Sequence, residues 1–255
     1  MGLPAFVAEL NQRLCHTLAP ARPHGFQSSS DAFGWSGDAQ GLSHLTLFIE
    51  GGRIHDLPGY SLKTALTEIA TLHTGEFRLT GNQNLILANI EPAHRSRIQA
   101  ILEQHGAWPA TAHQTALRQN SLDCVALNTC SQAFAEAERY LPQLLDKLET
   151  IIRAHGLADD GILIRMTGCA RPYLGEIGLV GKAPGRYNLY LGANHAGERL
   201  NKLYREMLDE EGILRELTPI LADYAARHKP QEQFGDFVIR QGYVAATTHG
   251  LNFHS

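Results

Sequence analysis

Four cysteines in 255 residues, Cys15, Cys124, Cys130 and Cys169, are too few for a disulfide-stapled scaffold. No apolar run approaches the ~18 residues that a membrane-spanning helix needs. The stretch Met1 to Leu18 has no basic start followed by an apolar core, so no secretion signal is read there. Blocks of like charge are absent too. Lys plus Arg number 22 against 26 Asp plus Glu, a net charge of −4, which excludes a global positive field for nucleic acid. Several catalytic signatures are missing: no HExxH, no G-x-S-x-G elbow, no G-x-G-x-x-G and no triad order. The Gly181-Lys182 pair fails as a phosphate loop, because position 176 is Glu and position 183 is Ala. What remains is ordinary globular composition, 44% apolar and 19% charged. The expectation is a soluble cytoplasmic protein without nucleic-acid or membrane partners, whose cysteines serve metal or redox chemistry more readily than stapling.

Hydropathy and turn signals then order the chain. Residues 1–18 carry a weak helical pattern ending at Pro20, and 19–43 read as loop. His44 to Glu50 reads as a strand, Gly51-Gly52 as a hairpin turn, and Arg53 to Leu57 as its return. Ser61 can cap a helix with Leu62, Ala65, Leu66, Ile69 and Leu72 at 3.6-residue spacing. Strands at Glu76–Thr80 and Leu85–Ile90 flank the turn Gly81 to Asn84, and Pro92 opens a helix that runs to His105. This ββ-α-ββ-α order describes a compact α+β unit closing near residue 109. After a loop to about Ser121, Cys124 to Cys130 leads into a long helix carrying Phe134, Leu141, Leu144, Leu148 and Ile152, with Pro142 inside it. Strands at 161–166, 174–180 and 187–191, helices at 195–208 and 210–228 and a last strand at 234–240 give the second half α/β character.

Three constellations can carry chemistry. Cys124-x5-Cys130 at an expected helix start, with Cys169 after a strand, suits thiolate ligation of soft metals or iron–sulfur clusters. The same three positions equally suit small buried apolar side chains, and C-x5-C is not a common zinc or ferredoxin spacing. Cys15 reads as core or incidental. The turn Gly181 to Arg186 leaves Lys182 and Arg186 available to carboxylates. Arg78-Leu79-Thr80-Gly81-Asn82-Gln83-Asn84 presents a guanidinium and several amides that suit an anionic ligand, or simply a turn.

Together these segments resemble one family. Phe77 to Leu85, Cys124-x5-Cys130, Ala135 to Arg139, Ile164 to Cys169, Gly178 to Gly192 and the closing Phe234-Gly235-Asp236-Phe237 are similar to the haemoprotein subunits of assimilatory NADPH sulfite reductases, within the nitrite/sulfite reductase family. The resemblance implies a [4Fe-4S] cluster coupled to a sirohaem, reducing sulfite to sulfide with six electrons from a flavoprotein subunit, in sulfate assimilation and cysteine biosynthesis. It implies Cys124, Cys130 and Cys169 as metal ligands, and Arg78, Thr80, Asn82, Gln83 and Asn84 around the sirohaem. Four thiolates hold such a cluster, and a shared one gives a direct electron route to the haem. Here Thr167-Gly168-Cys169 runs straight into Ala170-Arg171, four residues and one cysteine short of the family's Thr-Gly-Cys-Pro-Asn-Gly-Cys-Ala/Gly-Arg. The family's subunit is about twice this length. The organisation implied is the tail of a middle domain (1–36), a ferredoxin-like half-domain (37–109) and a cluster- and sirohaem-binding α/β domain (114–255). An incomplete enzyme is therefore expected, or alternatively a non-catalytic assembly module that binds the flavoprotein or a full-length subunit.

Overall fold

The structure, a computed structural model, describes residues 2–22 and 29–249. Helix α1 (Leu3–Arg13) has proline in its first turn and buries none of its residues, so its weak apolar stripe finds no core. Cys15 lies beyond it and is exposed.

Strands β1 (Gly34–Gly37), β2 (Ser43–Leu47), β5 (Glu76–Leu79) and β6 (Leu85–Ile90) form one antiparallel sheet, ordered β1-β2-β6-β5. Leu45 pairs with Leu87 and Leu47 with Leu85, which puts four leucines on one face. Helices α2 (Leu62–Ala70) and α3 (Pro92–Gln104) cover that face, with Leu62, Ala65, Leu66 and Ile69 from the first and Ile98, Ile101 and Leu102 from the second. Ser61 sits at the N-cap of α2 but makes no capping bond. Asp56 caps instead, accepting from Thr64 N at 3.1 Å and Thr64 Oγ1 at 2.8 Å. It belongs to the hairpin of β3 (Asp56–Leu57) and β4 (Tyr60–Ser61).

Gly51-Gly52 is not the hairpin turn expected. Glu50–Gly52 forms one 3-10 turn, with Gly51 at φ 58°. A Cβ on Gly51 would stand 2.8 Å from Glu138 Cγ and 3.2 Å from Asp123 Oδ1, so the chain presses against the second unit at this point. The free edge of β2 is taken by β1, from residues expected to be loop. Short helices α4 (Ala107–Ala112) and α5 (Ala116–Gln119) also replace expected loop. Thr115 caps α5, accepting from Arg118 N at 3.2 Å.

The second sheet contains β7 (Ser121–Asp123), β8 (Ile164–Thr167), β9 (Ile177–Ala183), β10 (Arg186–Leu191) and β11 (Lys202–Leu208), in the order β11-β10-β9-β8-β7. It is parallel from β7 to β9 and antiparallel from β9 to β11. A helical turn α6 (Ala126–Thr129) and helices α7 (Leu141–Ala154), α8 (Glu210–Arg227) and α9 (Phe234–Arg240) complete the unit. Leu141, Leu144, Leu145, Leu148 and Ile152 bury one stripe of α7.

Three expectations change here. The helix after Cys130 begins only at Leu141, which places Pro142 in its tolerated first turn and leaves Phe134 exposed. The segment expected as a helix at 195–208 supplies β11, an edge strand without burial alternation. The last expected strand is α9, whose Phe234, Phe237 and Val238 share one buried face, the two phenylalanines packed edge-on against Tyr224. Among the described residues no helix is long and apolar enough to cross a membrane.

Candidate functional site

The chemistry-bearing segments converge on the seam between the two sheets. After β5, Thr80 to Asn84 turns tightly, and Gln83 adopts φ 65°. Thr80 Oγ1 accepts the N–H groups of Asn82 at 3.2 Å and Asn84 at 3.1 Å, which closes the turn. The side chains then converge on Asp31. Thr80 Oγ1 donates to Asp31 Oδ2 at 2.6 Å, Asn84 Nδ2 to the same oxygen at 2.8 Å, and Asn82 Nδ2 to Oδ1 at 3.2 Å. A hydroxyl and two amides thus hold one carboxylate, charge-assisted bonds of the stronger kind. Asn84 Oδ1 accepts the buried Ile49 N–H at 2.9 Å, so this residue also pins the end of β2. Gln83 reaches across the seam, donating to the Asp123 carbonyl at 2.7 Å, while its Oε1 is buried without a hydrogen bond. Arg78 stays on the exposed edge strand β5, where Glu76 pairs with it at 2.7 Å.

On the other side of the seam, Cys124 directly follows β7. Its Sγ accepts the Gly168 N–H at 3.3 Å. Gly168 O accepts from Phe134 N at 2.8 Å, and Cys130 O accepts from Ala133 N at 3.2 Å. A Cβ on Gly168 would lie 2.7 Å from Ala133 Cβ and 2.8 Å from Ala126 Cβ, so only glycine permits this approach. The backbone therefore brings all three cysteine-bearing segments to the Gly168 turn. Cys130 follows the one-turn α6 and does not stand at the start of a long helix, so no long helix directs its N-terminus at this sulfur. Among the described residues, no three His, Cys, Asp or Glu side chains gather as a metal-holding group.

Between these two clusters lie residues to which the sequence reading gave no role of their own. Glu138 is held by Arg53 through both of its carboxylate oxygens. The guanidinium keeps the carboxyl below its usual range, against the opposing effect of burial. Asp123 is buried beside it with Oδ1 lacking a hydrogen bond. Burial and the Glu138 and Glu50 carboxylates push its carboxyl up to about 7. Arg118 ties Glu50 to Glu149 and Asp146, which links the 3-10 turn to α7. Further along, the Arg171 guanidinium lies over the rings of both Tyr173 and Tyr190, 4.7 Å from each centroid. Asp31 is 49 to 53 residues from its donors, so no local spacing announces it.

Residues 36–105 match the family model of the nitrite/sulfite reductase ferredoxin-like half domain. Among curated proteins, the chain is 52% identical over its whole length to the sulfite reductase [NADPH] hemoprotein beta-component of Bacillus velezensis and to that of Bacillus subtilis. It is 53% identical to the Geobacillus kaustophilus counterpart. The chain spans 45% of the length of each. Of solved structures, the NirA protein of Mycobacterium tuberculosis superposes with a TM-score of 0.73 at 19% identity, covering 95% of this chain and 46% of that one. Dissimilatory sulfite reductase I superposes at 0.54 and 9% identity, covering 80% of this chain and 67% of that one. Both share the fold.

Proposed function

Related over its whole length to sulfite reductase hemoprotein beta-components, of which it spans about half, the chain is, we propose, the C-terminal part of such a hemoprotein. The identity of 52% across every element described above carries this reading. The activity is then the six-electron reduction of sulfite to sulfide in the cytoplasm, with electrons passed from NADPH by a flavoprotein subunit. In this reading Cys124, Cys130 and Cys169 belong to the side of the reaction centre that holds a [4Fe-4S] cluster. Arg78, Thr80, Asn82, Gln83 and Asn84 belong to the wall facing a sirohaem.

The residues of this chain do not complete that centre. A four-thiolate cluster needs one ligand more than the three cysteines of the second unit, and Cys15 is exposed on the far N-terminal segment. The side-chain donors of Thr80, Asn82 and Asn84 are committed to Asp31. What these residues do in the chain itself is to brace the seam: the turn fixes β2 and Asp31, and Gln83 fixes β7.

The 255-residue chain, purified anaerobically from cells that make sirohaem, is expected to show no Soret band and no full complement of cluster iron. It is also expected to form no sulfide with reduced methyl viologen. A chimera tests the assignment positively. In it, this chain replaces the matched region of the Bacillus subtilis protein and Pro-Asn-Gly-Cys is inserted after Cys169. Recovery of the Soret band and of sulfide formation is the expected result; a folded chimera that stays colourless sinks the proposal.

A further inference from the structure

The Gly181 to Arg186 turn, which the sequence offers as a place for cations to meet carboxylates, borders a cavity of the opposite character. Pro184 and Gly185 form one wall of a space of about 350 Å3, which Leu127, Tyr140, Glu136 and Glu210 close on the other sides. The turn's own cation is engaged outside it, Arg186 pairing with Asp209 at 2.8 Å. Lys182 is exposed and does not line the space. The charged groups that do line it are both carboxylates.

Their surroundings differ. Glu210 is paired with Lys147, whereas the Glu136 carboxylate makes neither an ion pair nor a hydrogen bond among the described residues. Tyr140 stacks on Tyr187 with ring centroids 5.3 Å apart and planes 18° from parallel. The Tyr187 hydroxyl donates to the Glu136 carbonyl at 2.8 Å, which holds that segment against the stack. The Tyr140 hydroxyl is buried beside the Glu210 carboxylate without a hydrogen bond of good geometry. Arg139, next in sequence, donates to the Leu127 carbonyl at 2.8 Å. An unpaired carboxylate, a second one at the rim and an aromatic face define one complementary ligand: a planar cation that donates several hydrogen bonds.

We propose that this cavity binds a guanidinium group, with Glu136 and Glu210 as counter-charges and Tyr140 as the ring it lies against. None of these residues takes part in the centre discussed above, so the proposal stands apart from the sulfite reductase reading.

The test is a 1H–15N titration of the full chain with N-acetyl-arginine amide, which stands for an arginine of a polypeptide, and with agmatine, which stands for a free metabolite. N-acetyl-citrulline amide serves as the neutral isostere. Saturable shifts at the amides of Leu127, Glu136, Gly185 and Glu210 are expected for the cations and not for citrulline. The cation that saturates at the lower concentration identifies the source. Glu136→Gln, a part-exposed and nearly isosteric change, is expected to weaken binding roughly tenfold or more. Tyr140→Phe keeps the ring and is expected to weaken it less. Absence of saturable shifts, equal response to citrulline, or binding unchanged in Glu136→Gln overturns the proposal.

Discussion

At the scale of single residues, the chain spends its polar side chains on each other before it offers them to a ligand. Asp31 is the clearest case. Three side-chain donors from one turn meet its two oxygens, and removing it orphans the Thr80 hydroxyl and the Asn84 amide in a part-buried site, while Asn82 Nδ2 keeps the Ser29 carbonyl at 3.2 Å. Asp31→Ala is expected to cost about 2 kcal/mol, read as a lower urea midpoint at unchanged slope. Asp31→Asn is expected to fall between, since an amide oxygen still accepts. The motif Arg78 to Asn84 was legible in the sequence as a set of donors. Their acceptor was not, because a contact across about fifty residues leaves no periodic trace. Gly168 behaves similarly. Its place before Cys169 was legible, but the reason for glycine, the 2.7 Å approach to Ala133 Cβ, exists only once the loop after α6 packs on it.

Among elements, those with a complete stripe could be read directly. Helix α2 shows buried residues at i, i+3, i+4 and i+7, and β6 lies where the apolar run Leu85 to Ile90 puts it. Short or one-sided elements were decided by their partners. The segment Phe234 to Arg240 is apolar enough for a strand, yet no sheet edge is assigned to it, and it docks as α9 on Tyr224 of α8. The α8–α9 corner has its own electrostatic clamp. Arg240 binds both carboxylate oxygens of Glu232, and Lys229 N donates to Glu232 Oε2 at 2.9 Å. Arg240 is the main cause that brings the Glu232 carboxyl down to about 2. A carboxyl lowered on folding stabilises above its unfolded value near 4.5, and that contribution is lost as pH falls toward 2. Glu232→Gln is therefore expected to lose roughly 1 kcal/mol at pH 7, after allowance for solvent screening, and only a small part of that at pH 2, where the folded carboxyl is half protonated. Urea midpoints of both proteins at the two pH values check this.

For the whole molecule, two separate apolar cores are joined by polar contacts at one seam. Arg53 and Glu138 lie 85 residues apart, and the Glu138 side chain is only 7% exposed. Truncating Arg53 leaves that charge buried and unpaired. Arg53→Ala is expected to destabilise by about 3 kcal/mol, and adding Glu138→Ala to recover part of the loss, as a double-mutant cycle of unfolding free energies measures. The sequence by itself determined the α+β order of the first half, the α/β character of the second, the helices with full stripes and the place of three cysteines in the second half. These are properties of local hydropathy, turn chemistry and residue type. The tertiary structure alone decided that Gly51 turns the chain into the seam, that β1 completes the first sheet, that Asp31 takes the donors of the Thr80 turn, and that the Gly185 turn faces carboxylates. Each of these is a contact between groups distant along the chain. Its energy comes from burial and complementary charge that arise only when both partners are already folded into place.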